Sequence, residues 1–416
     1  MEEEIPEERI LGIDLTDSEA AAALSDSGET FHVPTAICRD KKHDLWYIGE
    51  EAYEKALAGK GILTDQLLKL AEKNGTATIR GVRYQVSELL SRFLSLLKEN
   101  CEKAAGGKRA DAVVIVLADY RKDAAQTLLK SLLPLGFPEN RTFCISREES
   151  FIYYVMSQPR EVRNSEVGLF DLSEQSLIFY ELTHWRDRKK LYVKAEREKL
   201  EEAFTLSVLE TASGKKLADR ILTSAAERLF QSRLFTGVFL TGRGFRSYDW
   251  APDFMKFVCA RRRRVFLDED LFAKGALVRG QSLMSGAGDP GFVPLCRGRS
   301  QVNLTLAVRK NGQDINFPLI SAGDPIGGSS VSLRLLPDES RELKLQLDPL
   351  RAGKVRVIRV PLSFLPERDP RSCFVDFTAE FRDERTMTMS LRSAGFGELF
   401  PAGDGGEMRQ EVALWE

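Results

Sequence analysis

The residues that could do chemistry in this chain sit where β-like runs end. In "LFDLSEQSLIFYEL", Leu169 to Leu182, two apolar strands meet at a tight corner that opens on Asp171. Corners of this shape hold nucleotide phosphates when backbone N–H groups come close to the phosphate oxygens, and glycine permits both the approach and the unusual dihedrals. No glycine is present here, and Ser173, Glu174, Gln175 and Ser176 make the turn. A second run, "GIDLTDSEAAAAL" (12–24), carries Gly12 and Asp14 and continues into Thr16, Asp17 and Ser18. A third, "GVFLTGRGF" (237–245), ends in Gly242 and Gly244. A short Gly-rich stretch is by itself weak evidence of a ligand, and a bare strand-to-helix turn explains it equally well.

Other reactive groups are scattered. The three histidines, His32, His43 and His184, are not in a ligand spacing, so a zinc site is not expected. The six cysteines include no C-x-x-C pair, and the acidic start "MEEEIPEERI" is unlike a secretory signal, which points to reduced thiols and a cytoplasmic protein. The apolar run "AVVIVLA" at 112–118 is far short of the roughly 20 residues of a membrane helix, so no membrane partner is expected. With 60 basic and 62 acidic residues there is no global pull toward nucleic acid. The run Arg261 to Arg264 lacks aromatic interleaving and abuts "DEDLF", so it reads as a solvated loop and strand edge.

The elements that must position these groups fall into two textures. From about residue 8 to 288, short β-like runs alternate with amphipathic helical stretches, the pattern of an α/β domain. The helix over 86–105 carries Leu89, Leu90, Phe93, Leu97 and Cys101 on one stripe, with Ser87 as its expected N-cap. The strand at 110–119 is followed by a helix through "DAAQTLLKSLLPLGF", a strand "RTFCIS" and a helix around "SFIYYVMS". After about residue 300 apolar and polar residues alternate across short runs, and "RKNGQD" supplies an N-G hairpin turn. This predicts a separate antiparallel β domain.

The order of these motifs resembles the actin and DnaK-type chaperone ATPase superfamily. "GIDLTDSEAAAAL" is similar to its first phosphate loop, usually G-I-D-L-G-T-T, and the corner at Asp171 is similar to the second, usually D-L-G-G-G-T-F-D. "HVPTAICRDKKHDLWYIGEEAYEKAL", "ISREESFIYYV", "GVFLTGRGF" and "DLFAKGALVRGQSLMSG" resemble further chaperone segments in the same order. "INFPLISAGDPIGGSSVSLRL" and "VPLSFLPERDPRSCFVDFTAEFRDERTMTMSL" look like two halves of the chaperone substrate-binding β domain. The whole also looks like a bacterial family of uncharacterised actin-fold proteins. The resemblance implies an actin-like, ribonuclease H-like duplicated α/β fold with a reduced second-lobe insertion, followed by an antiparallel β-sandwich. Its domains would be lobe I over 1–165, lobe II over 166–295 and the β domain over 300–416.

The resemblance also implies ATP or ADP with Mg²⁺, held weakly or not at all once the departures from the pattern are counted. Asp14 and Asp171 occupy the two metal-side positions, either as surviving ligands or as remnant turn aspartates. The residues that would line the nucleotide site are Gly12, Asp14, Thr16, Asp17, Ser18, Asp171, Ser173, Ser176, Gly242 and Gly244. Thr16 stands at the first-loop glycine and Asp17 at the phosphate-contacting threonine, where a carboxylate repels phosphate by about 4 kcal/mol at 4 Å. Ile178 replaces the catalytic aspartate, and the expected glutamate aligns with Arg147, Glu148 or Glu149. The catalytic lysine falls near Leu67, and only about 20 residues separate the helix bearing Asp219 from the strand at 237, where the family places a whole subdomain. No catalytic residue is therefore assigned. The sequence reads as a non-hydrolysing or weakly nucleotide-binding module that holds a protein or extended peptide through its C-terminal β domain. The alternatives are an active Mg²⁺-dependent ATPase chaperone and an actin-type assembly protein. The sequence does not set the oligomeric state.

Overall fold

The computed structural model describes residues 8–173, 176–187, 190–202, 204–285, 290–327, 330–350, 354–365, 373–395 and 406–414. Glu174 and Gln175 of the second corner lie outside them. The chain divides into two compact units, Met1–Pro294 and Leu295–Glu416.

The first unit is built on a five-stranded sheet and a six-stranded one. In the first, β1 (Ile10–Leu15) and β4 (Ala112–Leu117) are buried along their whole length, and β4 accordingly reads as an unbroken apolar run rather than an alternating one. With β2 (Glu19–Leu24), β3 (Thr30–Pro34) and β5 (Thr142–Ser146) they give the order β5-β4-β1-β2-β3. β1 runs parallel to β4, and β4 to β5, whereas β2 is antiparallel to both β1 and β3. Helix α1 (Val86–Ala104) buries Leu89, Leu90, Phe93, Leu94, Leu97 and Cys101, the three-and-four spacing of a single apolar face. Its start corrects the expected cap: the N-cap residue is Gln85, with no side-chain bond, and Ser87 already lies in the first turn. Helix α2 (Lys122–Leu132) is shorter than expected, because Pro134 turns its end into a 3₁₀ segment, Leu133–Leu135. Helix α3 (Arg147–Ser157) leads out of this sheet.

The second sheet repeats the first. β6 (Glu166–Leu172), β7 (Leu177–Asp187), β8 (Lys190–Lys199), β9 (Phe235–Thr241) and β10 (Arg264–Leu267) lie in the order β10-β9-β6-β7-β8, and a short sixth strand, Val293–Leu295, follows at the β8 edge. The pattern of directions is the same, with β6 parallel to β9, β9 parallel to β10, and β7 antiparallel to β6 and β8. Helix α4 (Ala212–Leu229) is capped by the Thr211 hydroxyl, which accepts the Gly214 N–H, and residues 230–234 alone join it to β9. Asp219 of α4 accepts the backbone N–H groups of Asp253 and Phe254 and so caps α5 (Pro252–Cys259). Of the arginine run, Arg263 folds back over the rings of Phe230 and Phe257 and donates to the Val258 carbonyl.

Two helices tie the sheets together. Phe151 of α3 meets Tyr180 and Phe239 of the second sheet edge-on, at 6.2 and 6.4 Å between ring centroids. Helix α6 (Leu271–Met284) follows the second sheet but packs on the first: a Cβ at Gly12 would stand 2.6 Å from the Ala273 carbonyl oxygen. The Ser150 hydroxyl of α3 donates to the Phe272 carbonyl of α6 at 2.6 Å. No helix among the described residues is long and apolar enough to cross a membrane.

The second unit holds two four-stranded antiparallel sheets. β11 (Asn303–Lys310), β12 (Gln313–Ile320), β14 (Glu342–Asp348) and β15 (Arg356–Pro361) form one, in the order β12-β11-β14-β15; β13 (Ser330–Leu335), β16 (Phe374–Phe381), β17 (Thr386–Gly395) and β18 (Glu407–Ala413) form the other, in the order β13-β16-β17-β18. The predicted hairpin is present, with Asn311 and Gly312 both at positive φ between β11 and β12, as a two-residue primed turn requires. Alternate residues Phe377, Ala379, Phe381, Met387, Met389 and Leu391 join Leu304, Leu306 and Leu345 in one core shared by both sheets.

Candidate functional site

The duplication puts Asp14 and Asp171 at matching places, each the penultimate residue of the first strand of its sheet. Both are buried. A carboxylate at such a position needs a partner or a proton, and the partner is Arg147. Its Nη2 donates to Asp14 Oδ2 at 2.7 Å, its Nε to Asp14 Oδ1 at 3.1 Å and its Nη1 to Asp171 Oδ2 at 2.7 Å. The guanidinium thus makes a fork with one aspartate and a single charged bond with the other, and its cationic face lies 4.4 Å from the ring centroid of Phe272.

Helix α3 fixes that side chain. Ser146 is its N-cap, accepting the Glu149 N–H, and Arg147 is the first helical residue, set between the ends of β1 and β6. Burial works against the Arg147 charge, but Asp14 and Asp171 outweigh it and hold the guanidinium above its ordinary value. For Asp171 the balance is reversed, and burial raises its carboxyl above the usual range with Arg147 opposing. The neighbouring acids are engaged elsewhere: Glu148 pairs with Arg197 at 3.2 Å and Glu149 with Arg279 at 3.0 Å. The hydroxyl of Tyr180 is buried beside this cluster without a hydrogen-bond partner among the described residues, and burial pushes it up.

The remaining sequence-predicted residues have structural tasks in the described chain. Asp17 Oδ1 accepts the N–H groups of Leu68 and Lys69 at 2.9 and 3.2 Å, capping the short helix Leu67–Glu72 from a distant loop. Leu67, at the family's lysine position, is fully buried. The Thr16 hydroxyl closes the turn by donating to the Glu19 carbonyl and accepting its N–H, and it lies 3.1 Å from Ser18 Oγ. Ser173 and Ser176 bond to each other at 2.6 Å across the second corner, and Ile178 sits opposite Asp171 in the strand register. Gly242, at φ +89°, brings the turn after β9 against the corner, where a Cβ would stand 2.5 Å from the Leu172 carbonyl oxygen and 2.8 Å from Asp171 Oδ1. A Cβ at Gly244 would meet the Leu172 side chain at 2.4 Å.

A second cluster, which spacing along the chain could not reveal, bridges the same two sheets. His32 Nε2 lies 2.8 Å from Asp270 Oδ1 and its Nδ1 3.4 Å from Glu19 Oε2. The hydrogen bond to Asp270 and then the nearby Glu19 carboxylate overcome burial and raise it to about 10, so the imidazole is a cation at neutral pH. Arg243 and Arg246 approach Glu19 at 3.7 Å each, and Arg246 also pairs with Glu269 at 2.9 Å. His32, Glu269 and Asp270 bring ligand-type atoms within 4.8 Å of one another, but the imidazole proton, Arg246 and Lys274 (2.7 Å from Asp268 and 3.9 Å from Asp270) already balance those carboxylates. Arg147 itself had a usable signal: "SREE" has the S-x-x-E form of a capping box, which makes Arg147 the first helical residue.

These features define an α/β unit with two sheets of similar strand order, bridged by an arginine between two aspartates, and followed by an antiparallel β unit. The family described as "Family of unknown function (DUF5716) C-terminal" matches residues 20–297, and the chain belongs to it. Residues 299–414 match a "Domain of unknown function (DUF8552)". No curated protein matches the chain.

Proposed function

We propose that this protein is a divergent relative of the actin and DnaK-type ATPases that hydrolyses no nucleotide and serves as a binding module for a protein or an extended peptide. The observation that carries the reading is the guanidinium of Arg147, bonded to Asp14 and Asp171 at 2.7 to 3.1 Å. Mg²⁺ demands near-octahedral oxygen ligands and keeps most of its waters. It cannot take these carboxylate oxygens unless the buried ion pair opens, which is strongly unfavourable. The residues present therefore do not fit a Mg²⁺–nucleotide pair. Asp17, used as a helix cap, and Gly242, packed against Asp171, support the same conclusion. The repeated strand order supports the actin-like assignment, since five strands of each sheet form a three-stranded meander extended by two parallel strands.

The second unit supports the binding half of the reading. β15 is an edge strand of its sheet, with Val357 50% exposed and Val355 just before it 56% exposed. This edge, in which Val355 and Val357 alternate with Arg356 and exposed Arg359, suits the addition of an extended segment as a further strand.

Isothermal titration of ATP and ADP with Mg²⁺ tests the cleft. We expect no binding up to about 1 mM, weaker than about −4 kcal/mol. Micromolar binding that Asp14→Ala/Asp171→Ala removes would refute the reading and restore the ATPase alternative.

A further inference from the structure

Several arginines of the first unit are paired with carboxylates, among them Arg147, Arg197, Arg228 and Arg279. Those of one pocket are not paired among the described residues. A pocket of about 430 Å³ opens between the end of α3, the β7–β8 hairpin and residues 290–292. Arg160, Arg163, Arg186 and His184 line it, together with Met156 and Phe292, and no carboxylate is among its described lining residues. The contrast is a pocket of about 480 Å³ on the same hairpin, where Arg228 pairs with Glu198 and Arg233 with Glu181, so the charge is balanced internally.

Arg163 has a structural task, since its Nε donates to the Gln158 carbonyl at 3.1 Å and its Nη1 points to Met156 Sδ at 3.8 Å. Those bonds hold it along the wall. Arg160 and Arg186 have no side-chain hydrogen bond or ion pair among the described residues, and both are exposed. Burial, and then Arg163, lowers the His184 imidazole below its ordinary value. The same lining includes apolar side chains, Met156, Leu191 and Phe292. Phe292 is 8% exposed and its ring packs 5.2 Å from that of Tyr153.

We infer that this pocket binds a small organic phosphate, with the arginines holding the phosphate and Phe292 and Met156 receiving a compact apolar or aromatic group. Guanidinium forks match phosphate oxygens in pairs, and a phosphate monoester carries enough negative charge to offset several of them. The volume falls within the range of small-molecule sites, about 300–1,000 Å³. The pocket is distinct from the cluster around Arg147, so the inference does not depend on the proposed function.

The test is calorimetric titration of the full chain with phenyl phosphate at low ionic strength, beside inorganic phosphate and phenol. We expect phenyl phosphate to saturate with a Kd below about 1 mM, with inorganic phosphate at least about tenfold weaker and phenol silent. Arg160→Ala/Arg186→Ala, at exposed positions that leave the melting temperature unchanged, should weaken phenyl phosphate at least about tenfold. Phe292→Leu should bring it toward the value for inorganic phosphate. No saturation by about 10 mM, binding indifferent to the double arginine change, or equal binding of phenyl phosphate and inorganic phosphate would each overturn the inference.

Discussion

Replacing Arg147 with Met keeps an unbranched side chain and deletes the charge, which leaves Asp14 and Asp171 buried without their cation. Each carboxylate lies 2.7 Å from a guanidinium nitrogen. At an effective dielectric near 20 that is about 6 kcal/mol of gross attraction per pair. Desolvation of the three groups offsets much of this, and breaking a buried pair from one side costs about 3–5 kcal/mol net. For a unit of ordinary stability, about 5–15 kcal/mol, that is a large fraction. The assay is urea unfolding followed by tryptophan fluorescence, because Trp46, Trp185 and Trp250 of the four tryptophans lie in the first unit. Arg147→Met should lose about 3–5 kcal/mol at pH 7. Arg147→Met/Asp14→Asn/Asp171→Asn, which removes the charges together, should recover at least about 2 kcal/mol of that loss. The sign with pH is also fixed. Burial already raises Asp171 in the folded state, and without Arg147 it rises further above its unfolded value. The folded variant then binds more protons than the unfolded chain, so its deficit shrinks as pH falls from 8 to 5. A loss under about 1 kcal/mol, or a triple variant no more stable than the single one, would refute the assignment of Arg147 as the element that neutralises the two aspartates.

The bridge at His32 predicts a different pH window. Its folded value of about 10 lies above the ordinary 6.5, so its stabilisation is complete below about pH 6.5 and is lost as pH rises through about 10. With the side chain 23% exposed and screened by solvent, the amount is about 1–2 kcal/mol. His32→Gln should flatten that slope in urea titrations, and NMR should find the ring still protonated at pH 8.5. Asp17→Ala should cost about 1 kcal/mol by uncapping Leu67–Glu72, read as faster amide exchange at Leu68 and Lys69. Gly242→Ala should cost more than about 2 kcal/mol in thermal unfolding, because a side chain there meets the Leu172 carbonyl and needs a disfavoured φ. On the second unit, Val357→Lys should weaken capture of an extended peptide at least about tenfold in a peptide-array assay, since a charge blunts an exposed strand edge.

Much of the local architecture was legible because it depends on short-range patterns. The unbroken apolar run at 112–117 marks a strand covered on both faces, the stripe from Leu89 to Cys101 marks a helix face, and Asn311-Gly312 marks a primed turn. The sequence alone also set Asp14 and Asp171 at the ends of comparable strands and placed no glycine between Asp171 and Leu177. What the chain could not disclose along its length is who partners whom. Arg147 is 133 residues from Asp14, and His32 is 238 from Asp270. Asp17 reads as an obstacle to phosphate until the fold delivers Leu68 and Lys69 to its carboxylate. Residue type and spacing determine which charges exist and which strands carry them. Whether an aspartate holds a metal, caps a helix or neutralises an arginine is decided by the cost of burying it, and that cost is fixed only when the tertiary structure brings its partner within about 3 Å.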